Sequence, residues 1–218
     1  MDFNHKPVLL EECIHYLNIS PAGKYIDGTL GGAGHSSEIL KRLDEKGLLI
    51  GIDQDIEAIN AANKKLSKIG SKAEFIIQHT NFENIRQILE VQKIKSVDGI
   101  LLDLGVSSYQ LDQEERGFSY WQDAPLDMRM DKRNKLTAEK IINTWDHGRL
   151  AHIIREYGEE NFAGRIASFI VKERQHRPVI TTKEFADLIT RAIPARTRRT
   201  GPHPARRTFQ AIRIAVND

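Results

Sequence analysis

The chain has one cysteine, Cys13, in 218 residues. An intrachain disulfide is therefore excluded, and so is a metal centre built from several thiolates. Cys13 reads as a small core residue near the first helix. Long apolar runs are also missing. The stretches Leu48 to Ile52 and Gly99 to Leu102 are far shorter than the ~20 residues a membrane helix needs. The start, Met1-Asp2-Phe3-Asn4-His5-Lys6, lacks the apolar core of a secretory signal. The histidines show no metal-ligand spacing, so no metal is expected. Repeats and low-complexity tracts are absent. With 40% hydrophobic and 28% charged residues, what remains is an ordinary globular composition. A cytoplasmic protein with no membrane partner is expected.

Net charge is small, at +2, yet it is unevenly spread. From Arg165 to Arg213 there are twelve lysines and arginines against three acids, Glu173, Glu184 and Asp187. The remainder is net acidic. Such asymmetry suggests a polyanion-binding segment on an acidic body. Its densest part holds Arg191, Arg196, Arg198, Arg199, Arg206, Arg207 and Arg213 with no acid between them. Pro194, Gly201, Pro202 and Pro204 place its centre in a loop. Arginine pairs bidentately with phosphate and stacks on unpaired bases. Arg196, Arg198, Arg199, Arg206 and Arg207 are therefore the candidate RNA-binding residues. Trp121 and Trp145 suit a core better than a stacking surface.

The first half alternates strands with helices. Lys24 to Ile26, Leu48 to Ile52, Phe75 to Ile77 and Val97 to Leu102 read as strands. Helices are predicted after Ser36 or Ser37 as far as Gly47, over Ile56 to Leu66, and over Ile85 to Val91. Strands apolar throughout and separated by helices imply a parallel sheet covered on both faces. The fold class is α/β. After Leu111 only helical patterns follow. Thr137 can cap one, and Leu150, Ile153, Ile154 and Tyr157 stripe another. Phe162, Ile166, Phe169 and Ile170 stripe a third. Thr181 and Glu184 have capping-box spacing, and Arg207 to Val216 is amphipathic.

Ligands of open parallel sheets bind at the carboxyl ends of the strands. Three features fall there. A glycine-rich turn, Asp27-Gly28-Thr29-Leu30-Gly31-Gly32-Ala33-Gly34, follows the first strand. Asp53 ends the second, where an acid can accept hydrogen bonds from both ribose hydroxyls of an adenosine group. Asp103 follows the fourth. The nicotinamide fingerprint Gly-x-Gly-x-x-Gly is met only in part, because Gly32-Ala33-Gly34-His35-Ser36-Ser37 ends in serine. No lysine follows the glycines, so the turn is not a triphosphate-binding loop. Asp27 disfavours a pyrophosphate beside it and suits a ligand carrying an ammonium, such as the methionine part of S-adenosylmethionine. A nicotinamide-dependent oxidoreductase is the alternative enzyme reading, and a non-catalytic RNA-binding fragment is a third.

The stretch Tyr25 to Ser36 resembles the MraW/RsmH family, ribosomal RNA cytosine-N4 methyltransferases. Asp103-Leu104-Gly105-Val106-Ser107-Ser108, Arg116-Gly117-Phe118-Ser119-Tyr120 and Pro125-Leu126-Asp127-Met128-Arg129-Met130-Asp131 resemble it too. So do His203-Pro204-Ala205-Arg206-Arg207 and Phe209-Gln210-Ala211-Ile212-Arg213. The resemblance implies a Rossmann-like class I methyltransferase sheet with an inserted helical domain. It implies S-adenosyl-L-methionine as cofactor, with contacts at Ala33, Gly34, His35, Asp53, Phe82, Asp103 and Gln110. Asp27 joins this set from the reading of the turn. The implied reaction is N4-methylation of a cytidine in bacterial small-subunit (16S) ribosomal RNA, with the small ribosomal subunit as partner. Asp103 is the candidate catalytic proton acceptor. Tyr109 departs from the family, which usually has proline there.

The expected division is 1–110 for the cofactor-binding part, 111–206 for the inserted helical substrate-recognition domain, and 207–218 for the start of the return to the methyltransferase core. Four strands leave the sheet incomplete, and the family continues beyond Asp218, so the sequence is expected to be C-terminally truncated.

Overall fold

Four short strands, β1 (Lys24–Asp27), β2 (Leu48–Asp53), β3 (Glu74–His79) and β4 (Gly99–Leu101), pair in parallel in the order β3-β2-β1-β4. The computed structural model describes residues 7–198 and 201–217. Contacts divide the chain into Met1–Ser107 and Ser108–Asp218. The sheet belongs to the first unit, together with α1 (Leu10–Leu17), α2 (Gly34–Leu40), α3 (Ile56–Leu66) and α4 (Ile85–Val91). It is an α/β parallel sheet of Rossmann-like order, as expected.

Alternation along the strands explains the layering. Tyr25 and Leu49 point to one face, where they join Ile14 of α1, Ile39 and Leu40 of α2, and Ala62 and Leu66 of α3. Ile26, Ile50 and Ile52 point to the other, against Ile88 of α4 and the half-buried Ile85 and Leu89. Helices α2 and α3 carry the chain outward through β2 and β3 on one face, and α4 carries it back to β4 on the opposite one. Asp55 caps α3 by accepting the Glu57 N–H at 3.1 Å. Ile100 within β4, and Leu102 and Leu104 beyond it, are exposed.

The start of α2 differs from expectation. Neither Ser36 nor Ser37 is its cap. The helix begins at Gly34, after Ala33 in a left-handed conformation with φ 54°. It ends at Leu40, well before Gly47. The serines lie inside it. The Ser37 hydroxyl turns back to the Ala33 carbonyl, and the Ser36 hydroxyl is taken by Asp27. A buried carboxylate outcompetes the helix end for that hydroxyl.

The second unit holds α5 (Ser108–Asp112), α6 (Ala138–Thr144), α7 (His147–Glu156), α8 (Ala163–Glu173), α9 (Thr182–Ala192), α10 (Ala195–Arg198) and α11 (Arg206–Asn217). Helix α7 packs on α8, α8 on α9, and α11 on both α6 and α7. Ile141, Ile154, Ile166, Ile170, Phe185, Ile189, Phe209 and Ile212 are fully buried. Tyr157 is not in that core and ends α7 half in solvent. Residues 207–217 lie in this helical unit, with α11 packed on its neighbours. Among the described residues no helix is long and apolar enough to cross a membrane.

Two local devices hold the second unit. The Thr181 hydroxyl accepts the Glu184 N–H at 3.2 Å, while Glu184 accepts the Thr181 N–H at 3.4 Å, completing the capping box. Gly117 has φ 67°, and a Cβ there would sit 2.1 Å from the Pro125 carbonyl oxygen. Gly117→Ala is expected to destabilise by more than the ~1–2 kcal/mol that the left-handed conformation alone imposes on alanine. Thr181→Ala should cost about 1 kcal/mol, the usual value for a lost N-cap. Chemical denaturation of both variants checks the size and the order.

Candidate functional site

Strand β1 lies between β2 and β4, with the β1–β2 connection on one face of the sheet and the β3–β4 connection on the other. That reversal opens a crevice in sheets of this kind. The turn after β1 is pinned there by three strand ends. The Thr29 N–H and the Ser36 O–H donate to the two Asp27 carboxylate oxygens, at 3.1 and 2.7 Å. The Gly31 N–H donates to Asp53 Oδ2 at 2.8 Å. The Asp103 N–H donates to Thr29 Oγ1 at 2.7 Å. Gly28 N–H to the Leu101 carbonyl and Leu30 N–H to the Ile52 carbonyl, both 2.9 Å, tie the same turn to β4 and β2.

Glycine is needed at Gly28 because of close approach. A Cβ there would lie 2.5 Å from Leu102 Cδ2 and 3.2 Å from Phe82 Cβ. Phe82, in the 3-10 turn Phe82–Asn84 after β3, thus reaches the end of β1. Ala33 is buried and no side chain caps the helix that follows it. His35 is buried too, and its Nε2 donates to the Val8 carbonyl at 3.1 Å. Its side chain therefore serves the structure, and only its backbone is at the turn.

The acids differ in environment. Asp27 is 1% exposed. Burial pushes its carboxyl above the ordinary range, opposed by the Ser36 and Thr29 hydrogen bonds and by His35, and aided by the negative charge of Asp103. Asp53 is half-buried. Burial pushes it to about 6, opposed by the N–H groups of Asp55 and Gly31 and aided by the charges of Asp55 and Asp27. Asp103 is exposed. The structure thus gathers Asp27, Asp53, Asp103, Phe82 and the turn Gly31 to His35 in one place. Gln110 is buried in α5, in the second unit, and its assignment to the cofactor rests on the resemblance alone.

The arginine run divides into two groups. Arg191 is paired with Glu173 at 3.0 Å. Arg213 is mostly covered and donates to the Phe118 carbonyl at 3.1 Å. Arg196, Arg206 and Arg207 are exposed and have no ion-pair partner among the described residues. Arg198 ends α10, while Arg199 lies outside the described residues. Trp121 overturns the expectation of a core role, being 74% exposed. Trp145 is half-buried, with the Arg149 guanidinium 3.4 Å above its ring.

The profile of the MraW methylase family matches residues 2–218. The chain belongs to that family. The ribosomal RNA small subunit methyltransferase H of Acetivibrio thermocellus is 61% identical to it over 218 residues, which is all of this chain and 70% of that protein. The protein of the same name from Clostridioides difficile is 56% identical over the same spans. A solved putative rRNA-methylase from Clostridium thermocellum is 19% identical with a TM-score of 0.34, over 36% of this chain and 45% of that one. That likeness is too slight to add to the fold argument.

Three further residues hold this site, two between β1 and β2 and one just after β2. Thr29 carries the link to Asp103, Ser36 closes the Asp27 carboxyl, and Asp55 donates its N–H to Asp53 Oδ1 at 2.8 Å. Only Asp55 had a local signal, an acid just before a helical pattern.

A carboxyl whose folded pKa is raised favours folding while protonated. The stability from Asp53 is full below its unfolded value of about 3.9 and is lost as pH rises through about 6. The loss is on the order of 3 kcal/mol, from roughly two units at 1.36 kcal/mol each. Asp27 acts in the same direction. Denaturant titrations between pH 4 and 8 should show stability falling with pH, and Asp53→Asn should flatten part of that fall. An equal slope in the variant would contradict the raised value.

Proposed function

We propose that this chain carries out S-adenosyl-L-methionine-dependent N4-methylation of a cytidine in small-subunit (16S) ribosomal RNA, in the cytoplasm and on the small ribosomal subunit. The observation that carries the cofactor reading is the Asp53 carboxylate at the end of β2. One lone pair on each oxygen is occupied, by Gly31 and Asp55 N–H groups. A carboxylate offers about four acceptor positions, so two remain for the paired hydroxyls of a ribose. Beside it, the glycine turn lets backbone come close to the ligand, and Phe82 offers a ring for adenine. The names of the relatives carry the substrate reading.

Bound S-adenosylmethionine supplies an activated methyl on a sulfonium centre. The chain's own work is alignment and proton handling. Asp53 orients the ribose. Asp27 holds the turn from Thr29 to Ser36 in shape and supplies negative charge near the ligand's ammonium. Asp103 accepts a hydrogen bond from the exocyclic amine and takes the proton that the nitrogen loses. An exocyclic cytosine amine is a poor nucleophile because its lone pair is delocalised into the ring. An acceptor on its N–H localises that pair. Arg196, Arg198, Arg199, Arg206 and Arg207 hold the RNA backbone.

Calorimetric titration with S-adenosylhomocysteine is expected to give binding that Asp53→Ala abolishes, with NAD binding in neither protein. Affinity should fall as pH drops below about 6, where protonation of Asp53 removes an acceptor. NAD binding instead would transfer the chain to the oxidoreductases. Transfer of labelled methyl to small-subunit RNA, followed by nucleoside analysis, is expected to place the label in N4-methylcytidine. Asp103→Asn should lower that rate and leave cofactor affinity within a few-fold. Retention of RNA and cofactor without transfer would favour a non-catalytic fragment.

Replacing Arg196, Arg198, Arg206 and Arg207 together by alanine should weaken RNA binding and flatten its salt dependence, since each lost phosphate contact removes counterion release. Cofactor binding should be unchanged. Equal RNA affinity across salt would remove the role given to this segment.

A further inference from the structure

Among the described residues Trp121 is the most exposed of the large aromatic side chains after Tyr16, at 74%, yet its surroundings are built. Tyr120 and His203 stack nearly parallel, with centroids 4.6 Å apart at 11°. Trp121 leans on both, 5.2 Å from Tyr120 and 5.1 Å from His203. Tyr120 in turn meets the buried Phe209 edge-on at 5.4 Å, and Phe209 contacts the buried Phe185 at 5.3 Å. The pile is thus rooted in the core of the second unit, with Tyr120 and His203 half-buried and the outermost ring mostly in solvent.

His203 is fixed as well. Its carbonyl accepts the Arg206 N–H at 3.0 Å and its Nδ1 accepts the Ala205 N–H at 3.2 Å. Burial holds its ring below the ordinary histidine value against the pull of Asp187, so at neutral pH it stacks uncharged. Helix α11 starts three residues further on with the exposed Arg206 and Arg207. An uncovered indole packed on His203, whose carbonyl holds the start of a helix with two cations that have no acidic partner among the described residues, is the combination that single-stranded nucleic acid demands. A base has a face to stack, and its phosphates need positive charge. A lipid surface or a protein groove would call for a broader apolar patch than one ring.

We propose that Trp121, backed by Tyr120 and His203, is a stacking platform for an unpaired base of the RNA substrate. It rests on the RNA-modifying reading above and adds a contact that reads a base rather than a phosphate. Arg206 and Arg207 hold the phosphates flanking that base. The platform selects unpaired over paired RNA, because a base inside a duplex has no free face.

The chain has two tryptophans, so Trp145→Phe leaves Trp121 as the only indole reporter. Titrating that variant with a single-stranded RNA oligonucleotide should quench its fluorescence, and an abasic strand of equal length should not. Trp121→Ala should weaken binding of the single strand roughly tenfold or more, in line with ~1–3 kcal/mol per stacked base, and leave the abasic strand unaffected. Trp121→Phe should restore most of the affinity. No quenching, or unchanged affinity in Trp121→Ala while Arg206→Ala/Arg207→Ala still loses RNA, overturns the platform and leaves the arginine role standing. RNA affinity untouched in both variants overturns the RNA reading itself.

Discussion

The Asp27 carboxyl sits at the end of the central strand with almost no access to water, and it accepts from Thr29 and Ser36 at once. Those two bonds set the path of the turn between β1 and α2. Thr29, so placed, receives the Asp103 amide from beyond β4. Gly31, two residues on, reaches Asp53 at the end of β2. One buried acid therefore fixes the positions of the other two. Burial also raises its pKa, so the arrangement carries an electrostatic cost that a positively charged ligand nearby would relieve.

The same constraint explains why α2 starts where it does. A helix usually recruits a serine or threonine as its cap. Here Ser36 is spent on Asp27, and Ala33 takes a left-handed conformation to bring the chain into the helix. Backbone conformations of that kind persist only where surrounding bonds over-determine them. The turn is held by side chains from both ends of the loop and by backbone bonds to two strands, which is enough.

The second unit is stabilised by different means. Its helices bury isoleucine and phenylalanine in a core of their own, and its loops are kept by Gly117, the Thr181 capping box and the buried Arg116, which donates to the Arg129 and Met130 carbonyls. On that frame the arginine segment is sorted by tertiary contact. Arg191 and Arg213 are used internally, and Arg196, Arg206 and Arg207 face solvent. Charge density along the chain predicted the segment and could not make that distinction.

Much of this was readable from local pattern. The apolar runs at Ile26, Ile50 and Ile77 marked parallel strands, and Asp53 and Asp103 fell at strand ends by simple position. Thr137 and Thr181 announced their helices, because a cap and the amide it satisfies are three residues apart. These features depend on neighbours in sequence, so the sequence by itself determined them. What Ser36 binds, whether Trp121 is covered, and which arginines are occupied depend on residues 9 to 95 positions away. Only the tertiary structure decides those, because burial and partner choice are set by which surfaces meet when the chain closes on itself.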